Sequence, residues 1–223
     1  MSRIRAAILD VDGTLIDSND AHAAAWVDVC REFGRDPDFH HVRRLIGMGG
    51  DKVLPELTGV EEDTDEGKAI NERRGEIFRE RYLDTLKPFP DARALLERMK
   101  AAGLALVVAS SASKEDLGSL LERAGVHDLI EEKTSSSDAE ESKPEPDIVE
   151  AALRSAGVEA DEAVMLGDTP YDVEASRRAG VPCVAVRCGG WGDADLADAI
   201  ALYDDPADLL RRFDESPFVR ERD

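Results

Sequence analysis

The stretch Ala6-Ala7-Ile8-Leu9-Asp10-Val11-Asp12-Gly13-Thr14 decides how the rest of the chain is read. A short apolar run ahead of a glycine turn reads as a buried strand, so Asp10 and Asp12 fall where that strand opens into a loop. Two carboxylates at the edge of a core cost free energy unless a cation, a donor network or a shared proton compensates them. A bound metal is the simplest compensation. Asp-x-Asp-Gly also begins some calcium loops, but an EF-hand needs Gly at its sixth position and Glu at its twelfth, where this chain has Leu15 and Ala21.

From about Pro88 onward, short apolar runs alternate with amphipathic stretches, the rhythm of an α/β fold with a parallel sheet. Strands are expected at Leu104–Ala109, near Leu129-Ile130, at Ala163–Leu166, at Cys183–Val186 and at Ala199–Leu202. Helices are expected from an Asp91 cap to Ala102 and from Ser113 to a stop at Gly125. Two more run from Asp147 to about Gly157 and from Tyr171 to Ala179, the latter closed by Gly180. Ser135-Ser136-Ser137 reads as loop. Between residues 17 and 87 no strand run occurs, and apolar residues recur at helical spacing, as in Ala21, Ala25, Trp26, Val29 and Cys30. The expected organisation is therefore a core of residues 1–16 and 88–223 with a helical insertion, residues 17–87, placed as a lid over the carboxyl end of the first strand.

Three more polar positions follow the Asp10 pattern: Ser110 after the second expected strand, Asp168 after Leu166-Gly167, and Lys143 in the loop Ser142-Lys143-Pro144. Strand ends of one sense lie on one side of a parallel sheet, so these residues can converge. Carboxylates that hold a divalent cation, a Lys and a Ser that orient phosphate oxygens, and one carboxylate as nucleophile make up a set for phosphoryl transfer.

With these motifs the chain resembles the haloacid dehalogenase superfamily, in the branch of β-phosphoglucomutase and phosphoglycolate phosphatase with a helical cap. The four motifs of that superfamily appear in order as Asp10-Val11-Asp12-Gly13-Thr14, Val108-Ala109-Ser110-Ser111, Ser142-Lys143-Pro144 and Gly167-Asp168-Thr169-Pro170-Tyr171-Asp172. Asp17-Ser18, His22 and Trp26 resemble the first cap helix of the branch. The resemblance implies a Rossmann-like core with an inserted cap, and a phosphatase acting on a small phosphorylated metabolite through an aspartyl-phosphate. It implies Asp10 as nucleophile, Asp12 as acid and base, and Mg²⁺ held by Asp10, the backbone carbonyl of Asp12, and Asp168. It further implies Ser110, Ser111, Lys143 and Thr14 as phosphate-binding groups, Asp172 as a supporting carboxylate, and His22 and Lys52 as cap contacts. The branch's mutases carry an Arg in the cap loop, where this chain has Gly50, with Arg43, Arg44 and Lys52 as substitutes. A sugar phosphomutase and a non-catalytic binding protein of the same fold remain the alternatives.

Composition sets outer bounds. Of 223 residues 42% are hydrophobic, enough to bury a substantial core, and 28 Lys and Arg against 49 Asp and Glu give a formal net charge of −21. That balance disfavours nucleic acid or an anionic membrane as partner, so an anionic substrate has to be attracted locally. Cys30, Cys183 and Cys188 form no Cys-x-x-Cys pair, and a reducing compartment fits them best. The basic start Met1-Ser2-Arg3-Ile4-Arg5 meets Asp10 too soon for a signal peptide, so the expected location is the cytoplasm. Nothing in the sequence sets an oligomeric state.

Overall fold

A computed structural model describes residues 3–135, 138 and 141–219. Met1, Ser2, Ser136 and Ser137, named in the expectations above, lie outside the described residues, as do residues 139, 140 and 220–223 of the expected core. The strands are β1 (Ala6–Leu9), β2 (Ile16–Asp17), β3 (Lys87–Pro88), β4 (Ala105–Ala109), β5 (Glu132–Thr134), β6 (Ala163–Gly167), β7 (Cys183–Val186) and β8 (Ala201–Tyr203). The helices are α1 (Asn19–Glu32), α2 (Phe39–Leu45), α3 (Gly50–Thr58), α4 (Asp65–Ile77), α5 (Ala92–Ala101), α6 (Lys114–Arg123), α7 (Asp147–Ala156), α8 (Pro170–Arg178) and α9 (Pro206–Arg211).

Six strands pair in the order β5-β4-β1-β6-β7-β8, every pair parallel. Burial on both faces explains why β1, β4, β6 and β7 are apolar throughout rather than at every second residue. Ala7, Leu9, Leu106, Val108, Val164 and Leu166 face one core, shared with Leu95, Leu120 and Leu209 of α5, α6 and α9. Ala6, Ile8, Val107, Ala109, Ala163 and Met165 face a second, shared with Ile148 and Val173 of α7 and α8. The chain runs from β1 to β4 on one side and later returns to β6 on the other, so β1 stands at a topological switch point. The carboxyl ends of β1, β4 and β6 therefore open on one crevice.

Three local expectations need correction. The strand expected at Leu129-Ile130 is instead Glu132–Thr134, at the sheet edge. Leu129 and Ile130 pack as partly buried side chains against the core, while the edge strand is fixed by its ladder to Val107–Ala109, not by apolar burial. The last strand is Ala201–Tyr203, since Ile200 is 51% exposed. Asp91 makes no side-chain cap to α5, because its backbone takes a left-handed φ of 56°.

Between β2 and β3 the chain is helical: α1 to α4, then a π-helical turn (Phe78–Tyr82) and a 3-10 turn (Leu83–Thr85). β2 and β3 form an antiparallel ribbon pairing Ile16 with Pro88 and Asp17 with Lys87, which brings entry and exit of this helical segment together. Such a short ribbon carries no readable alternation. Among the described residues, no helix is long and apolar enough to cross a membrane.

Candidate active site

Asp10 follows β1 directly and is buried with Lys143, whose Nζ lies 2.6 Å from Asp10 Oδ1 and 2.7 Å from Asp172 Oδ1. Lys143 is 1% exposed, so this is a buried triad of one cation between two carboxylates. Thr14 Oγ1 stands 3.1 Å from both Asp10 Oδ2 and Asp168 Oδ1 and can donate to one at a time. The structure thus joins Thr14 to the carboxylates, where the sequence grouped it with the phosphate-binding residues. Asp168, after β6, accepts at Oδ2 from Asn19 Nδ2 at 2.8 Å. Asp172 serves α8 as well: its Oδ2 accepts from the Thr169 backbone N–H and hydroxyl, and Thr169 in turn caps the Asp172 N–H.

Two glycines make this crowding possible. A Cβ at Gly13, where φ is 76°, would come within 2.1 Å of Asn19 Nδ2, and one at Gly189 within 1.8 Å of Asp168 Oδ2.

Asp10, Asp168 and Asp172 each place one oxygen within 4.8 Å of the others. Burial raises the Asp10 pKa to about 7; Lys143 opposes the rise, and Asp172 and Asp12 add to it. Burial, then Asp10 and Asp172, push Asp168 well above the usual carboxylate range. One lysine does not balance this much negative charge, and an all-oxygen donor set suits a hard divalent cation. The residues present fit a magnesium-type site.

Asp12 has a different environment. Its Oδ1 accepts from Ser18 Oγ at 2.5 Å and lies 2.7 Å from His22 Nε2 on α1. Arg74 of α4 contacts His22 Nδ1, and because a guanidinium only donates, Nδ1 must accept and Nε2 must carry the proton that goes to Asp12. His22 also stacks on Phe78 with ring centroids 4.2 Å apart. Burial alone would raise Asp12, but His22, Ser18 and Arg74 outweigh it and hold its pKa below the usual carboxylate value. The adjacent Asp10 and Asp12 are driven in opposite directions.

A cavity of about 650 Å³ opens over Asp10 and Asp12, lined on the sheet side by Ser110 and Ser111 and on the helical side by His22, Trp26 and Arg74. Ser110 Oγ accepts from the Ala112 N–H at 3.1 Å, while Ser111 Oγ is buried without a partner. Lys52, expected to contact substrate, turns away toward Glu141 at 3.2 Å and Glu145 at 3.9 Å. Arg43 binds Asp20 and the Gly189 carbonyl, and Arg44 stacks on Trp191 and pairs with Asp195. None of these three cations lines the cavity. Sequence reading missed Asn19 and Arg74, whose partners lie far along the chain; Asn19, directly after Asp17-Ser18, offered only proximity to the hinge.

The helical segment is seated on the core at the site itself. Gly49 N–H donates to Ser142 Oγ at 3.1 Å, beside Lys143, and Tyr171 Oη donates to the Arg44 carbonyl at 2.7 Å. Arg79 reaches Asp116 of α6 at 2.9 Å.

The chain is similar to known proteins in sequence and fold. A phosphoglycolate phosphatase from Rhodospirillum rubrum is 32% identical, covering 92% of this chain and 89% of its own. A hydrolase from Pseudomonas syringae superposes with a TM-score of 0.87 at 29% identity, covering 95% of this chain and 98% of its own. A β-phosphoglucomutase from Clostridium difficile shares the fold, with a TM-score of 0.81 at 21% identity, covering 92% of this chain and 93% of its own. The model of the haloacid dehalogenase-like hydrolase family matches residues 7–186, and the chain belongs to that family.

Proposed function

We propose that the protein is a Mg²⁺-dependent phosphatase that hydrolyses a small phosphomonoester through an aspartyl-phosphate on Asp10. The observation that carries this reading is the pairing of two differently held carboxylates on one cavity floor: Asp10 against Lys143, and Asp12 against His22 and Ser18. Residues 1–16 and 88–223 act as the catalytic core, and residues 17–87 as the cap.

Asp10 is the nucleophile. Its carboxylate oxygen forms a bond to phosphorus while the bond from phosphorus to the ester oxygen breaks. Lys143 orients Asp10 and favours its ionised form against the effect of burial, and Ser110 and Ser111 hold phosphate oxygens, the partnerless Ser111 hydroxyl being free to donate to one. Asp12, which enters this step protonated, gives its proton to the departing alkoxide, and the donors on its Oδ1 that lower its pKa favour the carboxylate left behind, the form needed as base in the next step. Asp12 then takes a proton from the water that attacks the aspartyl-phosphate, which returns Asp10 and releases inorganic phosphate. Asp10, Asp168 and the Asp12 carbonyl would hold a magnesium ion, whose positive charge would offset the charge on nucleophile and phosphate.

The seating of α1 to α4 supports a role for the cap in catalysis, since His22 reaches Asp12 only while the cap sits on the core. A mutase must also grip a second phosphate, and Gly50 leaves the cap loop without a cation for it. The three free cysteines fit a cytoplasmic location. The test is phosphate release over a panel of phosphorylated metabolites with and without Mg²⁺, with phosphoglycolate included because of the Rhodospirillum relative. Metal-dependent release from one ester group supports the reading; no release from any ester with Mg²⁺ contradicts it.

A further inference from the structure

Asp168 is held by a residue of the helical segment. Asn19, the first residue of α1, donates from Nδ2 to Asp168 Oδ2 at 2.8 Å and to the Gly189 carbonyl at 3.3 Å. An ionised carboxylate and a carbonyl only accept, so the amide cannot turn over without setting its own oxygen against two others. The remaining Asp168 oxygen, Oδ1, lies 3.1 Å from Thr14 Oγ1, which stands at the same distance from Asp10 Oδ2. Asn19 therefore fixes which oxygen Asp168 turns toward Asp10.

The amide is tightly enclosed. A Cβ at Gly13 would fall 2.1 Å from Asn19 Nδ2 and 2.3 Å from Asp168 Oδ2, and one at Gly189 would fall 1.8 Å from the same oxygen. Neither glycine can be replaced without displacing this contact. Asn19 is 2% exposed, and its Oδ1 is buried with no hydrogen-bond partner among the described residues. A buried acceptor left unpaired is costly, and here it belongs to the amide that grips a carboxylate of the candidate metal site. A hydrated divalent cation brings O–H donors to that place, and the partners behind a metal's ligands tune its affinity.

We propose that Asn19 is a positioning residue of the metal site. Its Nδ2 turns Asp168 so that Oδ1 is the oxygen offered to a divalent cation, and its own Oδ1 accepts a hydrogen bond from a water on that cation. The inference rests on the magnesium assignment in the phosphatase reading above and adds a residue that sets the affinity of the site. Asn19 opens the helix that also carries His22 to Asp12, so the first turn of α1 serves both the cation and the proposed acid and base.

The test is calorimetric titration of Mg²⁺ into metal-free protein, wild type beside Asn19→Leu and Asn19→Ala, with folding checked by circular dichroism. Leu keeps most of the volume of the amide without its polar atoms, whereas Ala gives up both, so the pair separates hydrogen bonding from packing. Each folded variant is expected to bind Mg²⁺ about tenfold to a hundredfold more weakly than wild type. A folded variant whose affinity stays within a few-fold of wild type overturns the inference alone; weakening confined to Asn19→Ala is such a result and assigns the residue to packing. Failure of both variants to fold overturns it too, since Asn19 would then belong to the fold rather than to the metal. Wild-type protein that takes up no Mg²⁺ at millimolar concentration overturns the magnesium assignment and the inference with it.

Discussion

His22 Nε2 lies 2.7 Å from Asp12 Oδ1, a contact made by a helix of the inserted segment with the proposed acid and base of the core. Arg74 on the other ring nitrogen makes His22 Nε2 the donor to Asp12 rather than an acceptor. His22→Phe keeps an aromatic ring against Phe78 and removes the donor. We expect kcat to fall by about tenfold to a hundredfold, with KM changed far less. Steady-state kinetics on the preferred ester check this, and an unchanged kcat contradicts it.

Lys143 is the buried counter-charge of Asp10 and Asp172. Lys143→Met leaves those buried carboxylates facing each other without their cation. The expected loss of stability in metal-free buffer near neutral pH is about 3–5 kcal/mol, read from urea unfolding. A midpoint equal to wild type contradicts the account.

Magnesium should stabilise the protein more as pH rises. Asp10, raised to about 7, and Asp168, also raised, have folded values above those of the unfolded chain. Their contribution to the metal-free fold is complete below about pH 4 and is lost as pH rises through their raised folded values, about 7 for Asp10, where the buried carboxyls must ionise. A divalent cation replaces the departing protons. The Mg²⁺-induced rise in Tm is therefore expected to be larger near about pH 8 than near about pH 5. An equal or smaller rise at the higher pH contradicts the assignment of these carboxylates to the metal.

Gly49 lets the cap approach the lysine loop, since a Cβ there would lie 2.5 Å from Ser142 Cβ. Gly49→Ala should raise KM by roughly tenfold while the far-UV circular dichroism is unchanged, because the cap can no longer seat beside Lys143. An unaltered KM would show that this contact plays no part in substrate capture.

The core was legible because each inner strand of a buried parallel sheet is a compact apolar run and three of the motif residues directly follow one. Asp10, Ser110 and Asp168 could be placed at strand ends without coordinates for that reason. β5 was misplaced because Glu132-Lys133-Thr134 is polar and owes its strand to pairing with β4. The cap contributions were not legible. Whether His22 faces Trp26's packing or Asp12, and whether Lys52 points inward, depends on how α1 and α3 are seated, which helical periodicity does not encode. Arg74 and Asn19 gave little signal for a related reason, since their importance comes from the partners that folding brings to them.

The most direct test of the central claim is inorganic phosphate release by Asp10→Asn beside wild type, at saturating Mg²⁺ on the best ester of the panel, with folding of both proteins checked by circular dichroism. The account predicts a folded variant whose turnover is reduced by at least about a thousandfold, because an amide cannot form the phosphoryl ester. A folded variant that retains activity within a few-fold of wild type would contradict it.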